Sequence, residues 1–411
     1  MTYKPKSFEM RMHPPFRGGI AQQRTIAAPL GSLLAVKSLA NFERGNPPVH
    51  LEIEDCELVA SYNLLNGLSR TILVPGRPPV WTPLPTQAKI SPDHGLYYRD
   101  ENAARFPQYP MEPAARSIFH LNPNFDTSKI RIFACGSTLG DLLRFSLGKG
   151  EAFSFTVHKV GRTAFFTRRT VTPTERINNI VGFGQSFVEA NTTWGPDVVG
   201  SASHQRVIQY QLGGILVLVR FEGDACILED AEEWEVEDSD KNRLISRAAG
   251  WSMHHDGTLH PLDHRAAASV LPDGATVESR GKLVAQTSVF EIKTRASWKS
   301  REDIMAEQLP RLWVRQIHKF VLAMHQRGTF DYAEVVDINH CVQDWEKASN
   351  PAIASLVHLL NDICDNVSTT NGCALEIRGN SNTSLEFREL SAKESRQREA
   401  LPSDLEQRWS K

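Results

Sequence analysis

Apolar positions in the middle of this chain recur mainly with the short period of β-strands, and helical spacing appears in only a few places. Residues 1 to 45 have little periodicity and scattered Pro, Gly and Arg, which predicts a flexible lead-in. Val49–Val59 predicts a first strand, whereas the prolines of Thr71–Pro83 predict an extended surface loop. Ile130–Cys135 has the pattern of a strand, followed by a helix over Gly136–Leu147. Phe153–Val160 and Arg162–Arg169 predict a hairpin around Gly161-Arg162. A second hairpin joins Val207–Leu212 to Ile215–Phe221 through Gly213-Gly214, a pair suited to positive φ. Both faces of Ile215–Val219 are apolar, so this strand lies deep in a sheet, with polar side chains only at its end.

Beyond this strand the pattern fades. The acidic run Glu229–Asp240 and the His-rich stretch His254–His264 predict an insertion with mobile loops within residues 225 to 288. Leu309–Gln326 predicts a helix whose inner row holds Leu312, Gln316, Phe320, Ala323 and Met324, with Gln316 the single polar member. A strand over Tyr332–Ile338, a helix over Pro351–Val367 and strands over Cys373–Ile377 and Ser384–Phe387 complete the pattern. From residue 391 the chain is charged and rich in Ser and Gln, which predicts a disordered tail. The expected fold is therefore α/β. One domain over residues 46 to 390 has a central mixed sheet, flanking helices and a cleft at the strand ends.

Composition narrows the function. A net charge of −2 over 411 residues excludes a globally basic nucleic-acid coat but leaves room for a local basic channel. The 6 cysteines are scattered without a CxxC pair, as in a protein with reduced thiols. No apolar stretch approaches a membrane span, and the first residues lack the apolar core of a secretory signal. A nuclear or cytoplasmic protein that is not secreted and has no membrane partner is expected.

The chemistry concentrates at two strand ends. Side chains two apart on a strand share a face, so one strand end presents Glu222 with Asp224, and Phe290–Lys293 presents Glu291 with Lys293. Either pair alone is what an ordinary solvated strand end carries. Together they form a hard, oxygen-rich set beside a cation, suited to Mg²⁺ or Mn²⁺, with the Ile292 carbonyl as a further oxygen. Such a set suits hydrolysis of phosphodiesters, with Lys293 stabilising the developing charge.

The order Glu-x-Asp, Glu-hydrophobic-Lys-Thr, then Leu312-Trp313-Val314-Arg315-Gln316 resembles the decapping exoribonuclease family, the DXO-like branch of the PD-(D/E)XK nuclease superfamily. The resemblance covers roughly residues 130 to 340. It extends upstream to Gly182-Phe183-Gly184-Gln185-Ser186-Phe187-Val188-Glu189, which makes Glu189 a fourth metal-binding carboxylate, and downstream to the turn Arg327-Gly328-Thr329. It implies metal-dependent action on capped, triphosphate or monophosphate RNA 5′ ends: cap removal, pyrophosphate release or 5′–3′ degradation. Catalysis would rest on Glu222, Asp224, Glu291, Lys293 and Gln316, and a 5′–3′ exoribonuclease stands open as a protein partner. The family carries an Arg in a strand-to-helix segment that helps bind the 5′ end, where this chain has Gly136. Arg144, Arg168 or Arg169 would substitute, and His204 and Arg206 are further candidates for contact with RNA. The chain also resembles fungal proteins labelled geranylgeranyl pyrophosphate synthetase, but it has no DDxxD motif and is too rich in strands for a helical prenyl synthase.

Two other readings compete: a nuclease of the same superfamily that cuts DNA or RNA internally, and an RNA-end-binding or scaffold protein with weak catalysis. Several features favour bland explanations. His254, His255, His260 and His264 lack a nearby cysteine and read better as a solvated loop than a zinc site. Gly182-x-Gly184 lacks the third glycine of a nucleotide loop. Cys135, Phe165-Phe166 and Trp313 fit core positions better than a nucleophile or base-stacking platforms.

Overall fold

The computed structural model describes residues 26–43, 51–177, 182–227, 251–253, 259–261, 274–370, 372–380 and 383–411. Its first strands are β1 (Ser32–Ser38), β2 (Ile53–Leu65), β3 (Thr71–Gly76) and β4 (Val80–Trp81). Next come helices α1 (Glu101–Arg105) and α2 (Glu112–Leu121), strand β5 (Ile132–Cys135) and helix α3 (Gly136–Ser146). The hairpin β6 (Phe153–Val160) and β7 (Thr163–Arg168) precedes α4 (Gly184–Asn191) and β8 (Thr192–Thr193). A long hairpin, β9 (Ser201–Leu212) and β10 (Ile215–Gly223), leads into β11 (Ala225–Cys226). Short strands β12 (Trp251–Met253) and β13 (Leu259–Pro261) pair with each other, followed by β14 (Thr276–Gly281) and β15 (Val289–Ala296). The remainder is α5 (Arg301–Arg315), β16 (Lys319–Gln326), β17 (Thr329–Phe330), β18 (Val336–Asp337), α6 (Asn339–Ala348) and α7 (Asn350–Thr369). The chain closes with β19 (Ala374–Gly379), β20 (Ser384–Glu389), α8 (Ala392–Arg396) and α9 (Ser403–Trp409).

Two mixed sheets organise the molecule. The large one has 11 strands in the order β1-β20-β19-β6-β7-β5-β10-β9-β2-β3-β14. The second runs β17-β16-β15-β11-β4-β8, with β18 also on β16. Side chains of β10 alternate between two apolar layers: Val217, Val219 and Phe221 face a core shared with α3, α5 and α7, while Leu218 faces one shared with α2 and α9. A third cluster, including Phe290, Ile292 and Phe187, fastens α4 to the second sheet. The expected mixed sheet flanked by helices is thus the observed architecture, and it is not an all-helical prenyl synthase. No helix among the described residues is long and apolar enough to cross a membrane.

Several expectations need correction. Thr71–Gly76 is a buried strand of the large sheet that includes Pro75, because Ile72, Leu73 and Val74 fill the core. The helix expected over Leu309–Gln326 stops at Arg315, and Phe320, Ala323 and Met324 belong to β16 instead. Gln316 adopts a left-handed conformation with φ 50°, which ends the helix there. Part of the expected lead-in is an edge strand, since β1 pairs antiparallel with β20. The segment 225 to 288 supplies β14, which pairs parallel with β3, as well as β11. Glu229–Asp240, His254, His255 and His264 lie outside the described residues.

The tail expected to be disordered folds back as α8 and α9. Trp409, 2% exposed, stacks on Phe133 with centroids 5.6 Å apart and meets Phe165 edge-on at 5.0 Å. Its indole N–H donates to Thr163 Oγ1 at 2.9 Å, and Thr127 Oγ1 donates to its carbonyl at 2.7 Å. A polar composition hid one large apolar anchor. Trp409→Ala is expected to destabilise the protein by about 3–5 kcal/mol in urea unfolding; an unchanged midpoint would mean that the tail is dispensable for stability.

Candidate active site

The chain leaves the large sheet at Gly223 and enters the second at Ala225, so Asp224 stands at the joint. β11 pairs antiparallel with β15, Ala225 opposite Phe290, which brings Glu291 alongside. The joint is fastened by Asp224 Oδ2, which accepts the Ile292 N–H at 2.8 Å. The structure therefore ties the backbone of Ile292 to this cluster through its N–H. Glu222, Asp224 and Glu291 come together, with Lys293 two residues further along β15.

Glu291 is 1% exposed and is held by two guanidinium groups from α5. Arg311 pairs with its Oε1, and Arg315 Nη1 donates to Oε2 at 2.8 Å. Burial alone would raise the Glu291 carboxyl, but Arg311 and then Arg315 hold it below the usual carboxylate range. Glu222 differs. It keeps solvent contact in a crowded setting, and loss of water together with the Asp224 charge pushes its carboxyl up to about 8. Asp224 also rises, through burial and the Glu291 charge, against the pull of Arg311. Burial, Arg295 and Arg311 lower the Lys293 ammonium.

Glu189 lies elsewhere on the rim. Asp93 caps α4 from a distant loop, accepting the N–H groups of Gly184 at 2.9 Å, Gln185 at 3.0 Å and Ser186 at 2.9 Å. Thr294 on β15 approaches Gly184, so α4 borders the same strand. Burial and the Asp93 charge push the Glu189 carboxyl up to about 7, although its side chain retains solvent contact.

Gln316 does not enter the site as predicted: its Nε2 turns back to donate to the Trp313 carbonyl at 2.8 Å. Arg315, one residue earlier, takes the inward place. Arg206 and His204 are also displaced from their expected role. They pair with Phe221 and Gly223 across β9–β10, hence lie on the face opposite Glu222, whose partner is Gln205. His204 Nδ1 meets Asn63 Oδ1 at 2.6 Å. Arg206 Nε donates to Gln286 Oε1 at 3.0 Å, and Gln286 Nε2 donates to the carbonyls of Arg315 and Gln316 at 3.0 and 3.1 Å. Arg206 thus braces the end of α5 from behind instead of facing the cleft. Arg144 pairs with Asp141 on its own helix, Arg168 lines a separate depression beside Asp141 and Glu175, and Arg169 pairs with Glu376. Phe165, Phe166 and Trp313 are core residues.

Sequence reasoning missed Arg311, Arg315, Asp93 and Gln286. The i, i+4 spacing of the two arginines on the helix after Glu291 was the available signal. Nothing local marks Asp93 or Gln286, because both act across long sequence separations.

A divalent cation fits part of the expected donor set. Glu222 and Asp224 are hard oxygen donors that form no ion pair among the described residues, and their mutual repulsion favours a cation between them. Glu291 has both oxygens engaged by arginine. Among the described residues no group of three His, Cys, Asp or Glu side chains is gathered as a metal nest, so the four-carboxylate set is not assembled here.

Carboxylates from two strand ends, a lysine and two arginines thus meet at one edge of this α/β fold. Solved structures share that fold. S. pombe Rai1 is 10% identical, with a TM-score of 0.55 over 87% of this chain and 99% of that one. Candida albicans Rai1 in complex with pU5 and Mn²⁺ is 11% identical, with a TM-score of 0.54 over 92% and 99%. K. lactis Dxo1 in complex with manganese is 11% identical, with a TM-score of 0.51 over 87% and 98%. The chain itself belongs to the family described as Domain of unknown function (DUF8563), which matches residues 48–409. No curated protein matches it.

The raised Glu222 carboxyl gives a signed prediction. A carboxyl held near 8 in the fold, against 4.5 for an unperturbed glutamate, favours the protonated fold. Its stabilising contribution is complete below 4.5 and is lost as pH rises through about 8. Thermal stability in EDTA should therefore fall from pH 5 to pH 9, and Glu222→Gln should flatten that fall. An identical pH profile in the variant would refute the assignment.

Proposed function

We propose that this chain hydrolyses phosphate linkages at RNA 5′ ends, with Glu222, Asp224, Glu291 and Lys293 as its reacting centre. The observation that carries the reading is the convergence of these residues at the joint between the two sheets, in a fold shared with Rai1 and Dxo1. Glu222 and Asp224 are the residues to hold Mg²⁺ or Mn²⁺. When bound, such an ion neutralises phosphate oxygens and makes water a stronger nucleophile. Lys293 supplies a cation for charge that develops during cleavage, and its lowered pKa favours proton exchange. The joint holds these groups in place before substrate arrives, so little reorganisation accompanies the reaction.

A second reading is favoured by one specific observation. Both oxygens of Glu291 are engaged by arginine, an arrangement that suits a protein which binds RNA ends without turnover.

Five-prime-labelled RNAs with monophosphate, triphosphate or capped ends, incubated with Mg²⁺, Mn²⁺ or EDTA, separate the two readings. Release of the 5′ group is expected with metal and should drop by about a hundredfold or more in Glu222→Ala/Asp224→Ala. Tight RNA binding with no release from any end would establish the binding protein instead.

A further inference from the structure

Beyond Lys293, β15 runs on away from the carboxylates, and α5 returns beside it. Glu291, Lys293 and Arg295 alternate onto one face of the strand. Arg311 of α5 pairs with Glu291, and earlier on the same helix Glu307 Oε1 accepts Arg295 Nη2 at 3.0 Å. Strand and helix therefore lie antiparallel along one groove, which leads from the carboxylates to the turn that joins the two elements. That turn and the first residue of α5 carry Trp298, Lys299 and Arg301, all exposed.

Trp81, Trp313, Trp345 and Trp409 pack into or against the apolar clusters, whereas Trp298 joins none of them and is 81% exposed. Its turn is well fastened. The Ser297 N–H donates to the His325 carbonyl at 2.9 Å, the Lys299 N–H to the Ala296 carbonyl at 3.0 Å, and Ser300 Oγ caps α5 by accepting the Asp303 N–H at 3.2 Å. The indole is thus held out from a rigid base. The Lys299 ammonium lies 5.4 Å from the ring centre, which puts a positive charge beside the flat apolar face. Single-stranded nucleic acid needs these two things side by side: a face on which a base stacks, and cations that follow the phosphates. The Arg295–Glu307 pair bridges the groove, but Glu307 is 61% exposed. An ion pair so wet contributes little, so Arg295 is able to exchange it for a backbone phosphate.

We propose that Trp298 and Lys299 form a stacking platform for an unpaired base in the body of an RNA strand whose 5′ end lies at the carboxylates. The inference rests on the RNA-end reading above and adds the route that the rest of the strand takes, along β15 past Lys293 and Arg295. Extended chain from Glu291 to Trp298 covers about 20 Å. The first nucleotides do not reach that far, so the platform engages only strands several nucleotides long. Stacking uses the π-face that every base has, so it carries no sequence preference. Base-paired RNA, whose bases already stack on one another, gains nothing from it.

The test varies strand length at a fixed 5′ end. The affinities of full-length protein for 3′-labelled, 5′-phosphorylated diuridylate and octauridylate are measured by fluorescence anisotropy in EDTA, for wild type, Trp298→Ala and Trp298→Phe. Wild type is expected to bind the octamer more tightly than the dimer by about tenfold or more. Trp298→Ala should remove most of that gain and leave affinity for the dimer unchanged. Trp298→Phe keeps an aromatic face and should restore most of the gain. The side chain lies outside the core, so the alanine variant is expected to unfold at the wild-type temperature. An octamer affinity that is unchanged in Trp298→Ala overturns the platform, as does an equal loss for both lengths. Failure of wild type to bind either RNA overturns the RNA-end reading itself.

Discussion

The hydrogen bond from the Ile292 N–H to the Asp224 carboxylate is the constraint around which this molecule is arranged. Asp224 occupies the one step of backbone between β10 and β11, where the chain passes from one sheet to the other. A carboxylate there has lost most of its water and needs a donor. The N–H it receives comes from the strand that carries Glu291 and Lys293. One contact therefore sets the relation between the sheets and the spacing of the polar groups at their edge.

Electrostatics divides that edge into two zones. On the α5 side, Glu291 is neutralised from within by Arg311 and Arg315, and is held ionised. On the solvent side, Glu222 and Asp224 repel each other without a cation, and both carboxyls are raised. A site built this way attracts a cation at one place and an anion a short distance away. That polarity suits the phosphate chemistry proposed above, in which a metal gathers at the carboxylates and phosphate oxygens lie nearer the arginines. Arg206 supports the arrangement without entering it, since Gln286 transmits its position to the end of α5.

Much of the central architecture was legible in the sequence. β5, α3, the β6–β7 and β9–β10 hairpins, α7 and the closing strands follow from periodicity and glycine placement, because those elements bury a regular face. Strand periodicity pairs Glu222 with Asp224 and Glu291 with Lys293, but only the pairing of β11 with β15 brings the two pairs near each other. Elsewhere, local pattern misled. Prolines in Thr71–Pro83 masked a strand that itself contains Pro75. Helical spacing ran on past Arg315 because a helix and a strand placed end to end can mimic one longer period, with only the left-handed Gln316 between them. A single tryptophan, not composition, decided that the final residues would fold.

The sequence by itself determined which chemistry the chain carries: carboxylates at two buried strand ends, with a lysine on the same face as one of them. Only the tertiary structure decided how those groups are used. His204 and Arg206 were sent behind the sheet by the pairing register, Gln316 was turned outward by the helix end, and Arg315 was delivered to the space beside Gly136. The reason is physical. Periodicity specifies the direction of a side chain relative to its own strand or helix, but charge neutralisation and hydrogen bonding join groups far apart in sequence, and those pairings exist only once the two sheets and α5 have packed.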